Sequence, residues 1–295
     1  MLSRAILASS CALALTAAAT GADLTAYPPP PAYVPPPPLI GWTGFYAGLN
    51  AGYAFGGQNS ATAVAAPAFV AIAGTSIAPA AAASATGVLT LHNSGFIGGG
   101  QIGYNWQFAN SWLAGIEADI QGTAVRASAR AAGAVADPTD PSIIAVSSLS
   151  VSNVLDYLGT VRGRLGWLAT PALLVYGTGG FAYGGVHQEA IAFTAFVTPF
   201  PLLNAVTPGF GEFTSTRPGW TAGGGLEWMV SPNWSVRAEY LYYDLGRTTF
   251  ALSPLVFGPL FTNFVAVSTR WNGHIARAGI NYHFFFGAPP VLAAY

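Results

Sequence analysis

Charged residues in this chain recur in pairs separated by a single residue, as in Glu117 with Asp119 and Arg162 with Arg164. In an extended strand this spacing places both side chains on the same face. Carboxylates and guanidinium groups that face one another form strong, charge-assisted hydrogen bonds, and buried charges require such partners. We therefore predict a lattice of ion pairs inside the fold, formed by Glu117, Asp119, Arg162, Arg164, Glu227, Arg237, Glu239 and Arg277.

The histidines are the other residues that could perform chemistry. His92, His187 and His274 fall near predicted strand ends or in connections, where an outer-leaflet lipid hydrolase would place its histidine. None has a serine and a carboxylate at a spacing that indicates a catalytic triad, and no HExxH metal motif occurs. His283 shares the face of the charged residues and is interpreted as a further hydrogen-bonding member of the lattice. We predict no enzyme activity, no metal site and no cofactor.

The charged pairs belong to segments in which apolar residues alternate with small or polar ones. In 42–57 Phe45, Leu49 and Tyr53 share one face, and glycine and asparagine occupy the other. The pattern returns at 96–108, 112–122, 155–167, 173–183, 220–228, 234–242 and 276–284. Aromatic residues at both ends of the apolar faces are typical of a lipid-facing barrel. The predicted aromatic girdle consists of Phe45, Tyr53, Phe55, Tyr104, Trp106, Trp112, Trp167, Trp220, Trp228, Trp234, Tyr282 and Phe284.

The composition favours a membrane environment. Only 7% of the 295 residues are charged and 52% are hydrophobic, whereas soluble domains carry about 25% charged residues. The net charge of −1 offers no basic surplus for binding nucleic acid. No internal segment has the roughly 20 strongly apolar residues of a spanning helix, because the alanine-rich stretch 61–91 is interrupted by Pro67 and Pro79. A closed barrel is the remaining way to satisfy the backbone in lipid.

The lengths of the connections alternate. Turn-forming residues occupy 109–111, 169–171 and 231–233, whereas 57–92, 124–153, 187–215 and 247–269 are long. The sequence therefore predicts an all-β fold over 42–284: an eight-stranded antiparallel transmembrane β-barrel with short periplasmic turns and four long extracellular loops.

The two ends of the chain have other compositions. Residues 1–22 have the features of a cleaved signal peptide, with Arg4 before a short apolar stretch. Residues 23–41 contain two proline runs and are predicted to form an extended periplasmic spacer. Residues 285–295 follow the predicted last strand as a C-terminal tail. Cys11 lies within the signal segment, so a mature chain would have neither disulfides nor cysteine-ligated metals.

Several strands also resemble a known family. The segments Trp42–Tyr46, Gly163–Gly166, Tyr176–Gly180 and Gly279–Tyr282 resemble the porin-like outer-membrane immunogenic proteins of Gram-negative bacteria. The resemblance covers about 42–284 and implies an OmpA-like barrel in the outer membrane with surface-exposed loops. It carries no catalytic motif. In that membrane the expected partners are outer-membrane lipid, lipopolysaccharide and the barrel-assembly machinery.

Two features leave the function open between alternatives. The charged lattice either lines a narrow pore, as in a small porin, or fills the lumen; the small diameter of an eight-stranded barrel favours filling. The long loops are unusually apolar, with no charge between Glu189 and Glu212. They either bind a hydrophobic ligand such as haem, a host molecule or a neighbouring barrel, or pack together as a cap on strands that continue beyond the bilayer. We favour a structural, surface-exposed barrel with a largely plugged lumen, with the small porin or the surface binding protein as alternatives.

Overall fold

Eight long antiparallel strands close into a barrel in the computed structural model of this protein. They are β1 (Gly44–Gly56), β4 (Gly95–Phe108), β5 (Trp112–Ala136), β6 (Ile144–Thr170), β7 (Leu173–Val197), β8 (Val206–Ser231), β9 (Trp234–Ala251) and β11 (Phe261–Phe284). β1 pairs with β11 from Phe45–Phe284 to Gly56–Gly273, so the last strand closes on the first. The eight-stranded antiparallel barrel predicted from the alternating pattern is confirmed.

The structure describes residues 41–56, 59–70, 77–109, 111–199, 204, 206–257 and 261–284. The predicted signal peptide, nearly all of the proline-rich spacer and the C-terminal tail lie outside the described residues. Among the described residues, no helix has the length and apolarity needed to cross a bilayer.

The short turns join the strands at one end of the barrel. They lie around Ala109, at 171–172 and at 232–233. The second turn begins later than predicted, because β6 continues through Thr170 and the Thr170 hydroxyl accepts a hydrogen bond from the N–H of Leu173 at 3.0 Å.

The four long connections consist largely of strand, as in the alternative of strands that continue beyond the bilayer. The first contains β2 (Asn59–Val70), helix α1 (Ile77–Ala85) and β3 (Gly87–Leu91). The β5–β6 ladder extends to Ala136–Ile144, so the second connection shrinks to 137–143. The fourth contains the short strand β10 (Leu255–Phe257), which pairs with β11. Inward residues remain apolar beyond the bilayer, and burying them favours continued pairing over irregular loops.

Above the bilayer the barrel divides into two facing sheets. β8 and β9 stop pairing beyond Trp220–Asp244. On one side β5, β6, β7 and β8 remain paired, and on the other β9, β11, β2 and β3 form the second sheet. One apolar core lies between them, formed by Ala61, Ala63, Ala85, Leu89, Leu91, Ala127, Leu149, Val151, Ala190, Ala192, Leu252, Leu255, Val265 and Val267. Helix α1 packs its Ala78 and Ala81 against Ile143, Ala145 and Phe196, and we call α1 with this apolar cluster the cap.

Candidate functional site in the barrel lumen

The barrel strands bring the eight predicted charged residues together inside the lumen. They project inward from β5, β6, β8, β9 and β11, and none has more than 5% of its surface exposed. Four positive charges therefore meet four negative charges in a space closed to water. We call this set the charged layer: Glu117, Asp119, Arg162, Arg164, Glu227, Arg237, Glu239 and Arg277.

Glu117 is the most heavily shared carboxylate of the charged layer. One of its oxygens pairs with Arg162, and the other accepts from Arg237 Nη1 at 2.5 Å. The hydroxyl of Tyr46 donates to the same second oxygen at 2.6 Å and accepts from Arg164 Nη1 at 2.9 Å. One carboxylate thus ties together strands β1, β5, β6 and β9.

Glu239 and Asp119 form the second set of shared contacts. Glu239 accepts from Arg162 at 2.9 Å and from the Nε and Nη2 atoms of Arg277 at 2.7 and 2.5 Å. Asp119 lies 2.9 Å from Arg162 and 2.9 Å from Arg277. Arg277 thus bridges Glu239 and Asp119, and Arg162 bridges the same two carboxylates and Glu117.

Glu227 pairs differently from the arrangement that strand order suggests. Its backbone lies opposite Arg237, yet its carboxylate contacts Arg164 Nη2 at 2.6 Å across the lumen. Ser235 and Asn281 donate to its other oxygen at 2.6 and 2.7 Å. Long arginine side chains reach past their nearest strand, so the register of backbones does not determine the pairing of charges.

The sequence interpretation missed two tyrosines of the charged layer. The hydroxyl of Tyr46 contacts Glu117 and Arg164, and the hydroxyl of Tyr176 donates to Glu239 at 3.1 Å. The Arg164 guanidinium also lies 4.3 Å from the centre of the Tyr176 ring, a cation–π contact. The alternating pattern could have identified both tyrosines, because each one occupies an inward-facing position of its strand.

Apolar side chains fill the lumen on both sides of the charged layer. At the end with the short turns, the indole of Trp42 donates to the carbonyl of Pro171 at 3.0 Å. We call this end the periplasmic layer: Trp42, Leu113, Leu168, Leu174, Tyr176 and Met229. On the opposite side lies the upper apolar layer: Ala54, Ile97, Val125, Leu155, Leu158, Ala182, Val186, Leu241, Tyr243, Leu245, Trp271 and Ile275.

A small group of hydrogen-bonded polar side chains separates the upper apolar layer from the core between the two sheets. Gln188 donates to the Thr269 hydroxyl at 2.7 Å, and the indole of Trp271 donates to Thr248 at 3.0 Å. Strand β6 contributes inward side chains to each of the main layers. Along the strand these side chains change from apolar to charged and then to apolar again. Its successive residues are Leu168, Arg164, Arg162, Leu158, Leu155, Val151 and Leu149.

The twelve residues of the predicted girdle lie on the outer face of the barrel. Eleven are exposed, from 37% for Tyr104 to 60% for Trp106, and Tyr282 is half-buried. Several form edge-to-face pairs, such as Phe45 with Tyr104 and Trp234 with Tyr282. They form two rows separated by an apolar wall, which is the arrangement expected of a lipid-facing surface.

The histidines fall into three environments. His283 is buried beside Glu227, at 3.3 Å, and Ser235, at 2.9 Å. His187 lies on the outer face, 3.2 Å from Glu189, and His92 is exposed. His274 also lies on the outer face, where it packs against tyrosines. Within the described part of the chain, no group of three histidine, cysteine or acidic side chains has the geometry to hold a metal ion.

Comparison with known proteins identifies the family. The model of the outer membrane protein beta-barrel domain matches residues 6–284. The chain belongs to this family. Membership confirms the predicted outer-membrane location and the resemblance stated from the strand motifs.

Named relatives agree with this family. The chain is 31% identical over 281 residues to the 31 kDa outer-membrane immunogenic protein of Brucella melitensis, covering 95% of this chain and 100% of the relative. It is 33% identical to a 22 kDa outer membrane protein of Rhizobium leguminosarum, over 52% of this chain and 54% of that protein. Among solved structures it is similar to OprG from Pseudomonas aeruginosa, with a TM-score of 0.42 and 12% identity, over 82% of this chain and 97% of OprG.

Proposed function

We propose that this protein is a structural, non-enzymatic, surface-exposed component of the outer membrane whose lumen does not conduct solutes. The charged layer carries the proposal. Its eight charges neutralise one another across the lumen, and the four arginine side chains are at most 1% exposed.

A conducting pore would place its charges differently. Side chains that select ions line a water-filled channel and keep part of their hydration. Here the arginines and carboxylates use one another as partners, so a passing solute would have to break several charge-assisted hydrogen bonds at once. An eight-stranded barrel is only about wide enough for its own side chains, which leaves no parallel path.

Planar-bilayer recording of the purified, folded protein tests this proposal. We expect no steady single-channel steps and no swelling of protein-containing liposomes in small sugars beyond that of protein-free liposomes. A conducting porin inserted in the same way serves as the positive control. Steady, large conductance from the heat-modifiable, folded species would overturn the proposal in favour of a small porin.

One observation favours a second function, the binding of a hydrophobic partner at the cell surface. On the outer face of β7 and β8, above the bilayer, five large apolar residues are exposed by 37–62%. Polar residues, including Glu189 and Glu212, separate them from the lipid-facing Phe181 and Trp220. We call this surface the upper wall: Ile191, Phe193, Val197, Val206 and Phe210. Exposed apolar patches of this kind commonly mark interaction sites.

A haemin titration followed by absorbance tests the binding function with a defined probe. We expect the triple variant I191S/F193S/F210S to bind haemin at least about tenfold more weakly than the parent, since it removes the apolar contact area. The matched control V88S/V256S changes exposed valines elsewhere above the bilayer and should bind like the parent. Equal affinity of all three proteins, or no binding by the parent, would contradict a haem-binding role for the upper wall.

A further inference from the structure

Three arginines converge where β8 and β9 separate: Arg247 and Arg270 lie on the outer face, and the half-buried Arg217 reaches them from the inward side of β8. Arg247 and Arg270 occupy facing positions in the β9–β11 ladder, and both are exposed. Arg217 of β8 reaches across the separation and donates from Nη2 to the carbonyl of Arg247 at 3.1 Å. Like charges in facing positions repel each other, so negative charge placed beside them stabilises this arrangement.

One carboxylate balances part of this charge. Asp244 accepts from Nε and Nη2 of Arg270 at 3.1 and 2.5 Å, and its other oxygen accepts from the N–H of Gly246 at 2.8 Å. The Arg270 side chain remains 55% exposed. Three arginines and one aspartate leave a net charge of +2 here. We call Arg217, Arg247 and Arg270 the arginine cluster.

A β-bulge builds the arginine cluster. Between Asp244 and Arg247 the register with β11 shifts, and Gly246 adopts a positive φ of 80° that favours glycine. Tyr242 faces outward, so strict alternation would turn Arg247 into the lumen. The bulge changes the phase of β9 and brings Arg247 to the outer face beside Arg270.

An aromatic shelf lies directly below the arginine cluster. The ring of His274 lies 5.2 Å from that of Tyr242, which lies 5.3 Å from Trp220. His274 is four residues from Arg270 along β11. With a rise of about 3.3 Å per residue and a strand tilt of about 40°, the cluster stands roughly 10 Å above this shelf. That height corresponds to the headgroup region outside the apolar band.

A lipid-facing groove continues below the shelf. Its floor is formed by alanines of neighbouring strands, including Ala51, Ala238 and Ala278, and its upper rim by Tyr53 and Tyr240. The groove has a volume of about 890 Å³. The arginine cluster, the aromatic shelf and the apolar groove therefore follow one another along the paired strands β9 and β11. We call this part of the outer surface the β9–β11 seam.

We propose that this seam binds one lipid of the outer leaflet, a glycolipid whose headgroup carries phosphate. The phosphate lies against Arg247 and Arg270, the sugar rests on the shelf of His274 and Tyr242, and an acyl chain follows the groove. Arginine suits phosphate because its planar donors form paired hydrogen bonds with phosphate oxygens. This site lies on the outer face and does not depend on a closed lumen.

The position of the arginine cluster decides between possible occupants. A soluble phosphate would gain contacts with the arginines alone. A lipid anchored in the outer leaflet gains the same contacts together with the shelf and the groove, and the membrane holds its phosphate at the right height. The combination therefore fits an amphiphile with an anionic head.

Binding of purified lipid A to the protein in detergent micelles, followed by native mass spectrometry, tests the proposal. The probes are the diphosphorylated lipid, the same lipid after removal of both phosphates, and inorganic phosphate as a competitor. We expect R247Q/R270Q to bind the diphosphorylated lipid at least about tenfold more weakly than the parent. The control R126Q/R130Q removes the same charge from exposed positions on β5 and should bind within about twofold of the parent.

Each remaining outcome has a defined meaning. If R247Q/R270Q folds, as judged by heat modifiability, and binds like the parent, the arginine cluster is not the site. Equal binding of phosphorylated and dephosphorylated lipid would overturn the role of phosphate. Displacement of the lipid by millimolar inorganic phosphate would reduce the site to a simple anion site and overturn the lipid assignment. A variant A238F/A278F, which fills the groove without changing charge, should also bind the diphosphorylated lipid more weakly than the parent.

Discussion

Glu117 shows how strongly a single residue of the charged layer is constrained. Its carboxylate neutralises Arg162 and Arg237 and accepts from Tyr46. The substitution Glu117→Gln keeps the size and removes the charge, which leaves the buried layer with four arginines and only three carboxylates. We expect the free energy of unfolding to fall by about 3–5 kcal/mol. Unfolding in denaturant from lipid vesicles, followed by tryptophan fluorescence, measures the change.

Glu189→Gln is the matched control, because the Glu189 side chain is 58% exposed and pairs only at the surface. Exposed pairs contribute about 0–1 kcal/mol, so this variant should unfold like the parent. An equal effect of both substitutions would mean that the charged layer does not stabilise the barrel.

The sequence revealed which residues face the lumen but not which atoms pair there. Period-two alternation places Glu117, Arg162 and Glu227 on inward faces without any knowledge of the strand order. It cannot assign Glu227 to Arg164, because that contact crosses the lumen between β6 and β8. Tyr46 and Tyr176 occupy inward-facing positions like the charged residues. The pattern could therefore have predicted their hydroxyls as further members of the hydrogen-bonded network in the lumen.

The sequence predicts strands that continue beyond the bilayer only as an alternative, and the pattern did not reveal their bounds. Inward and outward positions of β7 above the bilayer are both apolar: Ala190 and Ala192 are buried, and Ile191 and Phe193 are exposed. A strand that is apolar on both faces loses the alternation on which the prediction of strands depended. The bulges near Thr123 and at Gly246 also shift the phase, which hides continuity between the membrane segment and its extension.

The cap should open without unfolding the barrel beneath it. Ala81 of α1 is fully buried in the cap, so Ala81→Asp places a charge among apolar side chains. We expect local opening of the cap to become easier by at least about 2 kcal/mol. Proteinase K added to whole cells should then cleave above the bilayer, while the heat-modifiable shift of the membrane segment persists.

Ala83→Asp makes the same change on the exposed side of the same helix and should leave the protection unchanged. If Ala81→Asp abolished the heat-modifiable shift, the cap and the membrane barrel would be one cooperative unit. If both variants remained protected, α1 would not close the top of the molecule.

At the scale of the whole molecule, the proposed closed lumen consists of layers that act in series. A solute must cross the periplasmic layer, the charged layer, the upper apolar layer and the core between the two sheets. Resistance in series is governed by the least permeable layer, so removing one layer leaves the others closed. If the lumen is closed as proposed, the barrier does not depend on any single contact.

We therefore expect variants that open a single layer to remain non-conducting. L113A/L174A truncates the periplasmic layer, and L158A/L241A truncates the upper apolar layer; all four leucines are at most 1% exposed in the parent. Each pair should lower stability, since truncating a buried leucine costs about 2–5 kcal/mol. Planar-bilayer recordings should nevertheless show no steady channel from either pair. Conductance from one pair alone would identify that layer as the sole barrier and would show that the charged layer admits solutes.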